Sequence, residues 1–276
     1  MKIAISGKGG VGKTTLVSLL AQGYRDAGNK VIAIDADFDS NLAVNLGFPP
    51  NTKITPITEL NDLILERTGA APGASTVFFS LNPRVDDIPD RFAVEHNGIR
   101  LMIMGTVRRG GTGCACPEHV MVKELLRHLL VERDEVVLLD TSAGIEHLSR
   151  GTAQFVDLLV VVVQATTASI QTFQRIRSMA QDLRIRNISV IANRVRNADD
   201  LARIKTETGM EPIGVIDENA VLADYHGTPV SENVRAAIAQ TLRNINAMEA
   251  SHAESGSPHT ATRPQSTSSN QPEAHA

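Results

Sequence analysis

The run Ser6-Gly7-Lys8-Gly9-Gly10-Val11-Gly12-Lys13-Thr14-Thr15 has the residue types and spacing to bind a phosphate chain. Glycines let the backbone turn tightly, so that successive N–H groups of Gly7 to Thr15 can point at phosphate oxygens. A helix opening at the end of such a run adds a favourable dipole. Lys13 is placed to reach the β- and γ-phosphates, and the Thr14 hydroxyl to bind Mg²⁺. The run follows an apolar segment, Ile3-Ala4-Ile5, and precedes a helical pattern from about Lys13 to Ala27, which is the setting the chemistry requires. A glycine-rich turn without a ligand is the alternative.

Lys8 supplies a second ammonium that one triphosphate does not need from its own chain. Such a cation could instead be delivered to a partner's nucleotide, where it would stabilise charge on the transferring phosphoryl group. After the second apolar run come Asp35, Asp37 and Asp39. A carboxylate at a strand end beside a phosphate loop can hold Mg²⁺ through water, and a second can orient the attacking water. The run Val136-Val137-Leu138-Leu139-Asp140 ends in another acid and reaches Gly144 four residues later. Asp140 fits a carboxylate near Mg²⁺, and Gly144 fits a backbone N–H that senses the γ-phosphate.

A second chemical signal is Gly113-Cys114-Ala115-Cys116-Pro117-Glu118-His119. In extended chain Cys114 and Cys116 project to the same side. A helix beginning near Pro117 would lower both thiol pKa values and favour thiolate, the form that binds metal. Two thiolates make half of a closed four-ligand site, so a symmetric dimer would complete one. Thiolates suit Zn²⁺, Cu⁺, Fe–S clusters and Ni²⁺, so the residues alone leave the metal open. His119 reads as an exposed helical residue rather than a ligand.

The loop Gly7-Lys8-Gly9-Gly10-Val11-Gly12-Lys13-Thr14 resembles the deviant Walker A sequence of the MinD/ParA/Mrp/nitrogenase-iron-protein class. The resemblance implies a homodimer with Lys8 contacting nucleotide across the interface. It also implies Asp37 as the water-positioning residue of switch I, Asp35 as an outer-sphere Mg²⁺ partner, and Asn193-Arg194 as a contact to adenine. A turn-forming asparagine is the alternative for Asn193. The class usually has Pro where this chain has Phe38, and the segment Gly214 to Glu218 is shorter than its counterpart. The run from Met104 to Leu130 and the segment Ala143 to Ala153 are similar to the CooC family, over roughly residues 1–245. That family implies an ATPase that assists nickel insertion into carbon monoxide dehydrogenase. The expected ligands are then ATP/ADP, Mg²⁺ (through Thr14) and Ni²⁺ or Zn²⁺ held by Cys114 and Cys116 at a dimer interface. Apo carbon monoxide dehydrogenase is the expected acceptor.

These residues need a scaffold, and the rest of the 276-residue chain describes one. Apolar runs recur at Ile3–Ile5, Val31–Ile34, Arg100–Met104, Glu135–Leu139, Leu158–Val163, Ile188–Ile191 and Ile213–Ile216. Helical patterns lie between them, notably Pro117–Glu132, Thr167–Leu183 and Ser231–Met248. The alternation predicts an α/β fold, a doubly wound, mostly parallel sheet in one P-loop NTPase domain over residues 1–250. With seven Phe, two Tyr and no Trp, its core must be aliphatic, as buried parallel strands are. Residues Thr68 to Asn97 read as irregular. The tail from Ser251 lacks Val, Ile, Leu, Met and aromatic residues and reads as disordered; its His252, His259 and His275 have no fixed spacing.

The net charge of −4 offers no general attraction to nucleic acid or anionic membrane. No apolar run reaches 18 residues, so no membrane-inserted helix is expected, and the N-terminus lacks a signal-peptide pattern, so the expected compartment is the cytoplasm. The reading is an ATP-dependent metallochaperone. A MinD/ParA-type positioning ATPase and an Fe–S electron-donor ATPase are the alternatives; neither accounts for a close Cys-x-Cys pair.

Overall fold

The first strand, β1 (Lys2–Gly7), is buried along its whole length and delivers the chain into the glycine-rich loop. The computed structural model describes residues 1–37, 41–72, 78–105, 116–131, 133–142, 145, 153, 155–219, 222 and 225–254, the side chains of 252–254 excepted. Helix α1 (Lys13–Asp26) leaves the loop and returns the chain to β2 (Val31–Ala36). A short α2 (Leu42–Asn45), a 3-10 turn (Ile57–Glu59), α3 (Asn61–Thr68) and α4 (Ile88–Phe92) lead to β3 (Val94–His96) and β4 (Ile99–Ile103). Then follow α5 (Pro117–Val131), β5 (Val136–Thr141), β6 (Leu158–Val163), α6 (Thr167–Asp182), β7 (Ile188–Val195), α7 (Ala198–Thr208), β8 (Gly214–Asp217) and α8 (Glu232–Glu254).

The strands form one eight-stranded sheet in the order β3-β4-β2-β5-β1-β6-β7-β8. Every pairing is parallel except β3 with β4 at one edge. Apolar side chains, most of them aliphatic, cover both faces. On one, Ile64, Met121, Phe173 and Ile204 bring α3, α5, α6 and α7 onto the sheet. On the other, Leu16, Leu20, Leu42, Ile238 and Ile245 bring α1, α2 and α8. The expected doubly wound α/β architecture is therefore present. None of the described helices is long and apolar enough to cross a membrane.

Two expectations need correction. The stretch from Thr68 to Asn97 is not wholly irregular, because it holds α4 and β3. Asn97 and Gly98 both have positive φ (48° and 73°), which is the backbone of a tight turn joining β3 to β4. The last helix continues past the expected boundary at residue 250 to Glu254; residues 255–276 lie outside the described residues. Its start follows the reading, with the Val234 N–H donating to the Ser231 hydroxyl.

Candidate functional site

The phosphate loop turns back on itself where the Val11 N–H donates to the Lys8 carbonyl at 3.2 Å. Gly12 then caps α1 in the left-handed region at φ 97°. A Cβ there would lie 2.5 Å from the Asn193 side-chain nitrogen, so backbone conformation and close approach both require glycine. Lys13 is only 6% exposed, held under the loop rather than in solvent. Gly9, Gly10, Gly12, Lys13, Thr14 and Thr15 line a cavity of about 570 Å³. Lys8 is exposed on the loop and stands outside that lining.

Three strands bring the acids to the loop. β5 lies between β1 and β2, with Asp140 level with Ile5 on one side and Asp35 on the other. The Thr141 hydroxyl donates to the Ile5 carbonyl at 2.9 Å and joins the strand ends. Asp140 is fully buried, and neither of its carboxylate oxygens has a hydrogen-bond partner. Burial pushes its pKa up to about 7; the nearby Thr14 hydroxyl and Lys13 pull it down, while Asp35 and Asp37 push it further up. Two orphaned, buried carboxylate oxygens next to a threonine hydroxyl suit a hard divalent cation whose other ligands are phosphate and water. The residues present therefore fit Mg²⁺.

Asp37 lines the cavity together with Asn41 and Ser142. Asp35 does not line it. Its two oxygens accept from the backbone N–H groups of Asp37 and Leu42, each at 3.1 Å. In this structure Asp35 thus fastens both ends of the segment carrying Asp37, a role the sequence reading missed. Gly144 and Cys114 lie outside the described residues.

The far end of the cavity is formed by Asn193, Arg194, Ile216, Asp217, Asn219 and Leu222, with Leu16 and Leu19 from α1. Asn193 is buried, and its amide donates to the Val11 carbonyl at 2.8 Å. Arg194 has φ 54° where the β7–β8 register shifts, a bulge that turns the strand end toward the cavity. Asn219, Leu222, Leu16, Leu19, Asn41, Asn45 and Ser142 escaped the sequence reading, whereas Ile216 and Asp217 fall in the segment Gly214 to Glu218 that it singled out as shortened. The signal available for Asn219 and Leu222 was their position just beyond a parallel strand's carboxyl end.

Cys116 sits at the start of α5, where its carbonyl accepts from the Val120 N–H at 3.1 Å. The expectation of a lowered thiol pKa is not met. Burial pushes the Cys116 thiol up, and the Glu118 carboxylate adds to that, outweighing the backbone N–H of His119. Desolvation of the charged form wins over the helix terminus. His119 is exposed, as expected. Among the described residues no group of three or more His, Cys, Asp or Glu side chains is arranged to hold a metal.

Residues 2–230 match the family described as the CobQ/CobB/MinD/ParA nucleotide binding domain. The chain is 50% identical over 206 residues to the carbon monoxide dehydrogenase accessory protein CooC of Rhodospirillum rubrum, covering 74% of this chain and 78% of that one. It is 44% identical over 242 residues to an uncharacterised ATP-binding protein of Methanocaldococcus jannaschii, covering 86% and 93%. The fold is similar to that of the MinD cell division protein of Aquifex aeolicus, with a TM-score of 0.64 at 24% identity over 89% of this chain and 96% of that one. A matching family over most of its length, with a phosphate loop lining a cavity and a buried acid against that loop's Thr14, makes the chain a member of the CobQ/CobB/MinD/ParA nucleotide-binding family, an ATPase of the MinD/ParA class and of the CooC kind within it.

Proposed function

We propose that the chain is an ATP-hydrolysing metallochaperone for the maturation of carbon monoxide dehydrogenase. The observation that carries this reading is the 50% identity to a carbon monoxide dehydrogenase accessory protein, in a chain that also has Cys114 and Cys116 next to a helix start. The cargo is a divalent metal, nickel in preference to zinc, and the acceptor is the apo enzyme. ATP with Mg²⁺ favours a homodimer in the cytoplasm. Lys8 of each chain reaches the other chain's nucleotide, which agrees with its exposure outside its own cavity. The chain up to Glu254 carries the ATPase, without nucleic-acid binding or membrane insertion.

Within each cavity Lys13 and the loop N–H groups bind the β- and γ-phosphates, and Asp37 orients the attacking water. Asp140 and Thr14 would hold Mg²⁺, which supplies charge neutralisation on the phosphates when bound. Gly144 senses the γ-phosphate. Asn193 and Arg194 border the base. Hydrolysis loosens the dimer and splits the four-thiolate site, releasing the metal.

Metal stoichiometry tests the reading. Purified protein should bind about one Ni²⁺ or Zn²⁺ per dimer, as four thiolates to a closed site require. Cys114→Ser or Cys116→Ser should abolish that binding and the sulfur-to-nickel charge-transfer absorption while leaving ATP binding intact. Full metal affinity in both variants, or loss of binding on deleting residues 251–276, would sink the interface site in favour of the tail histidines. An oxygen-labile iron chromophore on the same cysteines would favour an electron donor.

A further inference from the structure

We infer that Asn45 is a positioning residue that links the base end of the cavity to Asp37, so that an occupied base site, and not the phosphates alone, steadies α2 and Asp37. The inference rests on the ATP reading of the cavity. Asn45 is the last residue of α2; it is buried and lines the cavity. In the amide orientation that satisfies both its ends, its nitrogen donates to the Tyr225 carbonyl at 2.7 Å and its oxygen accepts from the Thr15 N–H at 3.3 Å. One side chain thus touches the phosphate loop with its oxygen and the segment bordering the base with its nitrogen.

Both neighbours are fixed. Tyr225 is buried, and its hydroxyl accepts from Gln22 of α1 at 3.0 Å. Two residues further on, Gly227 packs backbone against backbone on Gly47, just past α2. A Cβ on Gly227 would lie 2.6 Å from the Gly47 Cα and 2.7 Å from its nitrogen, so neither a side chain nor water separates the segments. On the other side, the Asn45 N–H donates to the Asn41 carbonyl at 3.2 Å. The Asp35 carboxylate, holding the N–H groups of Asp37 and Leu42 at 3.1 Å, continues the path to Asp37. Asn219 and Leu222, which line the base end, are joined by the Leu222 N–H donating to the Asn219 carbonyl, and Leu222 packs against the same apolar cluster as Tyr225. Contact of a base with these residues therefore bears on Asn45, and through α2 on Asp37. Pyrophosphate has no base to set against them.

Hydrogen exchange of the full chain with Mg²⁺ and saturating ADP or pyrophosphate tests this. ADP should slow exchange of amides 41–46 about fivefold more than pyrophosphate does, the scale of one neutral hydrogen bond. Asn45→Ala should erase that difference while both ligands still protect amides 9–14. Asn45→Asp keeps the acceptor for Thr15, sets an oxygen against the Tyr225 carbonyl, and should erase it too. The wild-type comparison stands even where a variant fails to fold. Equal protection by the two ligands, or a difference that survives both variants, would overturn the linkage alone. Absence of protection at 9–14 with either ligand would overturn the nucleotide reading and the linkage with it.

Discussion

The Asn193 side chain donates to the Val11 carbonyl at 2.8 Å while its oxygen accepts from the Arg194 N–H at 3.0 Å. The end of β7 is thereby tied to the phosphate loop, and both ends of the amide are engaged with the protein itself. Asn193→Ala should weaken pyrophosphate as well as ADP, each by about tenfold, because the loop loses a buried anchor. Calorimetric titration of the two ligands separates the possibilities. A loss confined to ADP would assign Asn193 to the base alone.

Lys13 and Asp37 should separate binding from turnover. Lys13→Ala removes a buried ammonium and its charge-assisted contacts, so ATP affinity should fall roughly 10- to 100-fold. Asp37→Ala should keep ATP affinity and slow phosphate release by about 10²- to 10⁴-fold, the range of a lost proton-accepting or water-orienting group. Hydrolysis at the wild-type rate by Asp37→Ala would remove that residue from the mechanism.

Asp140 gives the nucleotide-free protein a particular pH dependence. Its folded pKa of about 7 stands above the ordinary 3.8, so between these values the folded state keeps a proton that the unfolded state has released. Its contribution to stability is therefore neutral below about pH 4, turns unfavourable as pH rises, and levels off above about 7. The gap corresponds to on the order of 4 kcal/mol. Asp140→Asn should be more stable than wild type without Mg²⁺, by a margin that grows from pH 4 to 7, and should lose stabilisation by Mg²⁺ with ADP. Denaturant unfolding across this range reads the margin; a constant difference would refute the assignment.

Exposure of Lys8 outside its own cavity invites a complementation assay. Lys8→Ala and Asp37→Ala chains, each inactive alone, should recover hydrolysis when mixed. In a mixed dimer, the site with intact Asp37 receives Lys8 from its partner. Verified heterodimers without activity at any ratio would place the action of Lys8 within its own chain or outside hydrolysis.

Sequence spacing made the sheet and the phosphate site readable because both depend on local pattern. Ile3-Ala4-Ile5, Val31 to Ile34 and Leu158 to Val163 are continuous aliphatic runs, and a strand buried on both faces permits little else. What escaped depends on contacts between distant segments. Nothing near Asp35 indicates that its oxygens accept from the backbone N–H groups of Asp37 and Leu42, since sequence pattern does not set where a strand-end carboxylate turns. Asn45 reads as an ordinary polar helix residue until Tyr225, far along the chain, is packed beside it. The pKa of Cys116 depended on how deeply α5 buried its first turn, which a helix-terminus argument alone leaves out. The β3–β4 turn is different, for Asn97-Gly98 is a hairpin signal that the short strand before it masked.

The place of β5 between β1 and β2 governs the order in which the protein can become competent. During synthesis the phosphate loop and Asp37 emerge early, yet the strands beneath them have no common edge until residues 136–141 slot between them. The nascent chain thus carries a phosphate loop before Asp140, the carboxylate proposed above to hold Mg²⁺, stands beside it. On that proposal Mg²⁺–ATP favours chains in which the late insertion is complete, and its binding energy adds to the stability of finished molecules.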